Sequence, residues 1–268
     1  MWFDTHCHLD APEFDADRSD VVAAARANGV SRLLIPAVSR DNFPAVRACC
    51  RRFPGCSPAY GIHPLYVHQA YEADLSALRD WLRIESQGDC PARAIGEIGL
   101  DFFVPDYDAE RQTYFFAGQL NIAEEFGLPV ILHVRRSIDT VLGHIRRSGI
   151  RRGIAHAFNG SRQQAEQFVA LGFKLGFGGA MTYPGSTRIR ALAASLPLEA
   201  IVLETDAPDI PPVWLRDAHS SDTPAKPRNS PEQIPRIAGV LAELRRESAA
   251  HIAAVTRANA NAVFGFTS

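Results

Sequence analysis

The strongest constraint on the fold of this chain is a rhythm. Short β-branched or apolar runs alternate with longer amphipathic segments, eight times over 268 residues. The runs predict strands at 1–7, 31–37, 57–62, 92–98, 129–134, 152–157, 173–178 and 200–205. Between them, apolar residues recur at helical spacing near 17–28, 41–52, 72–87, 108–126, 137–148, 161–171 and 185–195, and again near 231–246 and 248–263. Gly29, Gly127, Gly149 and Gly172 each follow such a segment, where glycine ends a helix by entering the left-handed region. Strands separated by helices form a parallel sheet, because a parallel connection needs a crossover. Eight such units, with no compositional break or repeat between halves, predict an α/β fold: a single (β/α)8 TIM barrel domain over residues 1–268. The alternative, an open doubly wound sheet, lacks a GxGxxG turn after the first strand.

In such a barrel the chemistry gathers at the C-terminal ends of the strands. His6 and His8 end the first strand, and side chains at i and i+2 share a strand face. Their imidazoles therefore project together as half of a divalent-metal site, with Asp4 on the same face expected to orient one of them. His63 ends the third strand, Glu97 the fourth, His133 the fifth, His156 the sixth and Asp206 the eighth. A carboxylate such as Glu97 in an apolar strand is costly unless a metal or a strong donor compensates it. Four imidazoles (His6, His8, His133, His156) and two carboxylates (Glu97, Asp206) exceed the three protein ligands of a catalytic zinc. Two divalent ions are expected instead, with Glu97 as the bridge. Lys174 and Lys226, the only lysines, end neither the fourth nor the fifth strand, which excludes a carboxylated-lysine bridge. Two ions about 3.5–4 Å apart suit in-line displacement at a phosphodiester. His68, His144, His219 and His251 have no convergent partners and receive no role.

With 28 Lys+Arg against 30 Asp+Glu, the net charge of −2 argues against a protein that coats nucleic acid, while leaving room for a local basic mouth. Five cysteines without a CxxC pair do not make a disulfide framework, so a reducing cytoplasm is expected. The first residues read as a strand rather than a signal peptide, and no apolar stretch reaches the length of a membrane span. No obligate protein partner is evident.

Taken in chain order, Asp4-Thr-His-Cys-His-Leu-Asp10, Gly61-Ile-His-Pro64, Ile95-Gly-Glu-Ile-Gly-Leu-Asp101, Leu128-Pro-Val-Ile-Leu-His133, His156-Ala-Phe-Asn-Gly-Ser161, Leu203-Glu-Thr-Asp-Ala-Pro208 and Arg228-Asn-Ser-Pro231 closely resemble the TatD family. These are metal-dependent deoxyribonucleases among the amidohydrolase-like barrels, and the motifs run nearly end to end. Asp209-Ile-Pro-Pro212 resembles the YjjV-type branch. The resemblance implies that His6, His8, Glu97 and Asp206 hold one ion, and that Glu97, His133 and His156 hold the second. It places His63 near the phosphate or solvent, and has Asp206 position or deprotonate the attacking water. It also implies Mg²⁺, Mn²⁺ or Zn²⁺, with hydrolysis of DNA phosphodiesters in the manner of a 3′ exonuclease.

A DNA substrate needs cations near those groups. Arg135 and Arg136 follow His133, and Arg228 lies in the long proline-rich stretch 207–230, expected to cover the mouth; arginine suits bidentate phosphate contacts. Phe102, Phe103, Tyr183 and Trp214 are candidates for base stacking. Arg146, Arg147, Arg151 and Arg152 fall at the opposite face and read as solvated surface. The competing function is an amidohydrolase or lactonase that uses the same metal site on a small amide or ester. A metal-binding protein without turnover is the third possibility.

Overall fold

The computed structural model describes residues 1–218 and 227–267. Eight parallel strands form one sheet in sequential order: β1 (Trp2–Asp4), β2 (Val30–Pro36), β3 (Cys56–Tyr60), β4 (Ala94–Asp101), β5 (Val130–Arg135), β6 (Gly153–Ala155), β7 (Phe173–Phe177) and β8 (Ile201–Leu203). The sheet closes where β8 runs on beside β1. Thr5 N donates to Leu203 O at 3.0 Å, Asp206 N to His6 O at 2.8 Å and His8 N to Ala207 O at 2.8 Å. The helices are α1 (Arg18–Ala27), α2 (Phe43–Arg52), α3 (Ala73–Ser86), α4 (Ala109–Phe126), α5 (Ile138–Arg147), α6 (Arg162–Ala170), α7 (Thr187–Ser195), α8 (Val213–Asp217), α9 (Ile234–Arg245) and α10 (Ala249–Phe264). The architecture is the expected (β/α)8 barrel.

Alternation along the strands builds the interior in layers. Phe3, Leu34, Ala59, Ala94, Ile131, Ile154 and Val202 make an apolar floor, closed from below by Ala260, Val263 and Phe264 of α10. Two residues further along three of these strands, the side chains are His133, His156 and Glu204. The period that builds the core thus also delivers polar groups to its upper rim. A larger apolar layer, with Phe115, Phe116, Phe168 and Phe173 among its buried members, forms the other core cluster.

Three local expectations need correction. The first strand was expected over 1–7, but the ladder ends at Asp4. His6 and His8 sit on an extended segment held by β2 and the β8 side together. Gly29, Gly127 and Gly172 take positive φ as expected; Gly149 does not, because α5 ends at Arg147 with Ser148 extended. The stretch 207–230, expected as a loop, contains the short α8, which Trp214 Nε1 ties to Gln233 Oε1 at 2.8 Å. Residues 219–226 of that stretch, His219 and Lys226 included, lie outside the described residues.

Candidate metal centre

Glu97 is the hub of the barrel mouth. Its carboxylate is 2% exposed and its two oxygens face different partners. Oε2 lies 3.1 Å from His6 Nε2 and 3.6 Å from His8 Nε2. Oε1 lies 2.8 Å from His133 Nδ1, 3.3 Å from His156 Nε2 and 3.5 Å from His63 Nε2. Asp206 Oδ1 joins the first group, 3.4 Å from His6 Nε2 and 3.7 Å from His8 Nε2. The glycines beside Glu97 permit this placement. Gly99 has φ of 147°, and a Cβ there would stand 2.0 Å from the His133 carbonyl oxygen. Only glycine lets β4 lie this close to β5.

The donor set fits divalent ions. Within each of three overlapping groups (His6–His8–Glu97, His6–His156–Asp206, His63–Glu97–His133) the ligand atoms lie within 4.8 Å of one another. The His6 and His8 Nε2 atoms face each other at 3.2 Å. Tetrahedral coordination with bonds of about 2.0–2.1 Å spaces its ligand atoms by roughly 3.3 Å, close to the 3.1–3.7 Å separating these imidazoles from Glu97 and Asp206. A crowd of buried nitrogen and oxygen atoms at that spacing is what a cation would relieve.

Protonation follows from burial and the neighbouring charges. Burial, with His156 beside it, drives His6 well below the usual imidazole range, towards the neutral form that ligates. Burial likewise takes His63 down to about 4. His8 goes the other way: burial opposes its charge, but Glu97 and Asp206 outweigh it and lift the imidazole to about 9. Burial raises Asp206 to about 6. Burial also works against the charge on Glu97, yet the His63, His156 and His6 imidazoles hold it well below the usual carboxylate range.

His63 carries a further signal. Its Nδ1 accepts from Leu65 N at 3.1 Å, so the neutral ring bears its proton on Nε2. That makes Nε2–H a donor, directed at His133 Nδ1 3.0 Å away, rather than a ligand lone pair. His133 is oriented from behind: its Nε2 lies 2.9 Å from Asp101 Oδ2, which leaves Nδ1 for Glu97.

Two groups went unremarked in the sequence. Asp101, the last residue of β4, is fully buried behind His133. Glu204 is buried with Oε1 3.5 Å from His156 Nδ1 and accepting from Ala157 N. Its space exists because residue 176 is glycine; a Cβ there would fall 2.1 Å from Glu204 Oε2. Both were findable. Asp101 lies in the quoted β4 motif, and Glu204 follows Val202 at the same i+2 step that carries Ile131 to His133 and Ile154 to His156.

Other expected contacts are not brought to the site. Asp4 does not touch an imidazole. Its carboxylate accepts from His6 N at 3.2 Å, Thr205 N at 3.0 Å and the Thr205 hydroxyl at 2.6 Å, stitching β1 to the β8 side. Arg228 forms a bidentate pair with Asp17 at 2.9 and 2.6 Å, so its fork is already filled. Tyr183 donates to Pro211 O, and Trp214 is bonded to Gln233 beneath Arg236, so both brace the loop. Phe102 stacks on Tyr107. Arg135 does line the mouth, an opening of about 840 Å³. At the mouth's edges Ala157 and Asp206 both hold left-handed backbone, at φ of 44° and 59°. Strain of this kind persists only where the surroundings impose it.

A model described as TatD related DNase matches residues 3–265. The chain belongs to the TatD family. This TatD-family protein is 40% identical over 266 residues to the uncharacterized metal-dependent hydrolase YjjV of Escherichia coli (strain K12), covering 98% of this chain and 97% of that one. It is 35% identical to the 3′-5′ ssDNA/RNA exonuclease TatD of Cronobacter sakazakii, again over 98% and 97% of the two chains. The crystal structure of YjjV, a TatD homolog from E. coli, superposes with a TM-score of 0.90 at 38% identity, covering 99% of this chain and 98% of that chain. As a member of the TatD family, the protein is a metal-dependent hydrolase. None of the described helices is long and apolar enough to cross a membrane.

Proposed function

We propose that the chain is a divalent-metal-dependent deoxyribonuclease, working from the 3′ end on single-stranded or frayed DNA. The observation that carries this reading is the division of Glu97 between two sets of imidazoles, with one oxygen towards His6 and His8 and the other towards His133 and His156. His6, His8, Glu97 and Asp206 would hold one ion, and Glu97, His133 and His156 the other. Mg²⁺, Mn²⁺ and Zn²⁺ all suit this mixed nitrogen and oxygen set. When bound, the ions supply Lewis-acid activation of water and of the phosphoryl oxygens. Asp206 would position the attacking water and accept its proton. His63, neutral with its proton on Nε2, donates to a phosphate oxygen. Arg135 at the rim attracts the strand. The whole chain acts as one catalytic unit without an obligate protein partner. The free thiols of Cys7, Cys49, Cys50, Cys56 and Cys90 support a reducing, cytoplasmic setting.

The test is the purified protein, its metal content measured as isolated, given Mg²⁺, Mn²⁺ or Zn²⁺ and a 5′-labelled single-stranded oligonucleotide. Stepwise loss of nucleotides from the 3′ end is expected, with near two ions per chain. No cleavage with any metal, alongside hydrolysis of a lactone or cyclic amide, would replace the nuclease by the amidohydrolase reading.

A further inference from the structure

The mouth is electrostatically lopsided. Asp10, Glu13, Asp206 and Asp209 line it from the segments that follow β1 and β8. Across the barrel, at the ends of β4 and β5, stand Arg135 and Arg136, both exposed. Several other arginines of this chain are paired with carboxylates: Arg18 with Asp15, Arg47 with Glu85, Arg79 and Arg83 with Glu125, Arg162 with Glu166, and Arg228 with Asp17. Among the described residues, neither Arg135 nor Arg136 has a carboxylate within ion-pair distance. What holds them is an aromatic ring. The Arg135 guanidinium lies 3.7 Å from the centroid of Phe103 and that of Arg136 lies 4.5 Å from it. Phe103 is itself 44% exposed. Cation–π contact fixes the plane of a guanidinium without using its N–H donors, which stay free for an anion.

The backbone shows the same pair being held in place. Arg136 takes left-handed φ of 54°, a conformation that a long side chain adopts only under constraint. The turn that carries Phe103 is pinned to the metal cluster. Asp101 Oδ1 accepts from Phe103 N at 2.9 Å while Oδ2 lies 2.9 Å from His133 Nε2, and Phe102 N donates to Arg135 O at 2.9 Å. One carboxylate therefore sets both the His133 ring and the platform under the two arginines.

We propose that Arg135 and Arg136, held on Phe103, form a second phosphate site, for a phosphodiester further along the strand from the one being cut. This rests on the phosphodiesterase reading above and narrows it. The substrate is a polynucleotide strand running out over the β4–β5 lip, away from the acidic β1–β8 side, and a small diester fills only part of the site. A single phosphodiester reaches the metals and Asp206 but leaves this pair empty.

The experiment compares two substrates on one protein: bis(4-nitrophenyl) phosphate, with one phosphodiester, and a single-stranded oligonucleotide with many. In the Arg135→Ala/Arg136→Ala double variant, kcat/KM for the oligonucleotide should fall about 100-fold, the loss of two charge-assisted contacts. The fall for the small diester should be at least about ten-fold less. The salt dependence of oligonucleotide binding, followed by fluorescence anisotropy, should lose about 1.4 from its log–log slope, roughly 0.7 for each phosphate contact on a single strand. Phe103→Ala should weaken binding while keeping the slope, because both charges remain. Unchanged melting of both variants checks the fold. Equal losses on the two substrates, or an unaltered salt slope, would overturn the second site while leaving the nuclease reading in place. A wild-type protein that cuts neither substrate would sink that reading, and this one with it.

Discussion

The two sides of the candidate metal site are built differently. On the β3–β5 side the imidazoles are oriented before any ion arrives: His133 is clamped between Asp101 and Glu97 at 2.9 and 2.8 Å, and His63 receives Leu65 N at 3.1 Å. On the β1–β8 side His6 Nδ1 has no partner among the described residues, and the ring nitrogens stand 3.1–3.7 Å from their carboxylates. Hydrogen bonds from behind a ligand fix its tautomer and raise its basicity. His133 and His63 are therefore arranged by the protein, whereas His6, like His156 with its own Nδ1 unpartnered among the described residues, is left for a cation to organise. The origin lies in the strands. β4 and β5 are long and tightly paired, while His6 and His8 lie beyond the end of a three-residue strand.

The most severe way to break this contrast is to remove the group shared by both sides. Glu97→Gln should lower turnover by at least about 1,000-fold, the loss of several kcal/mol of charge stabilisation. Metal content should fall on both sides together, with the circular dichroism spectrum unchanged. Loss of a single ion would show that Glu97 does not join the halves.

The next prediction is one of pH, and it reaches both sides: burial opposes the charge on His133 and His156 as it does on His8, yet Asp101 and Glu97 raise His133, and Glu97, Asp206 and Glu204 hold His156 well above the usual imidazole range. Without metal, His8 titrates at about 9, so at pH 7 it carries a proton that it must release to ligate. Affinity at the β1–β8 side should therefore rise with pH, by about ten-fold per unit between 7 and 9, and then level off. Calorimetry in buffers of different ionisation enthalpy should register close to one proton released per ion on that side. Release of no proton would return His8 to its ordinary range.

A smaller effect should mark the arranged side. Asp101→Asn keeps the shape but loses the charge behind His133, and should cost about 10–100-fold in affinity for one ion only. Equal weakening of both ions would make Asp101 a general prop of the barrel. The smallest effect belongs to Arg228→Ala. Its pair with Asp17 is partly exposed, so stability should drop by no more than about 1 kcal/mol in a denaturant titration. A large drop in oligonucleotide affinity instead would restore the phosphate role that its geometry denies.

The sequence carried the site as far as strand geometry can carry it. His133 and His156 were legible because each follows an apolar floor residue by two positions. Glu204 obeys the same rule, two residues after Val202. Asp4 shows the limit of the rule. Its position puts it near His6, but the bonds it makes go to the backbone of His6 and to Thr205, which follows a strand seven strands away. Arg228 shows a different limit, because a free guanidinium and one already bound to Asp17 look identical in sequence.

Periodicity is a local property, so the chain by itself determined eight strands, the order in which they pair and the rim on which the metal-capable side chains stand. Which atoms meet is not local. The division of Glu97 between two sets of imidazoles depends on strands closing into a cylinder, and the Phe103 platform under Arg135 and Arg136 on the pairing of β4 with β5. Only that closure brings residue 6 beside residue 206.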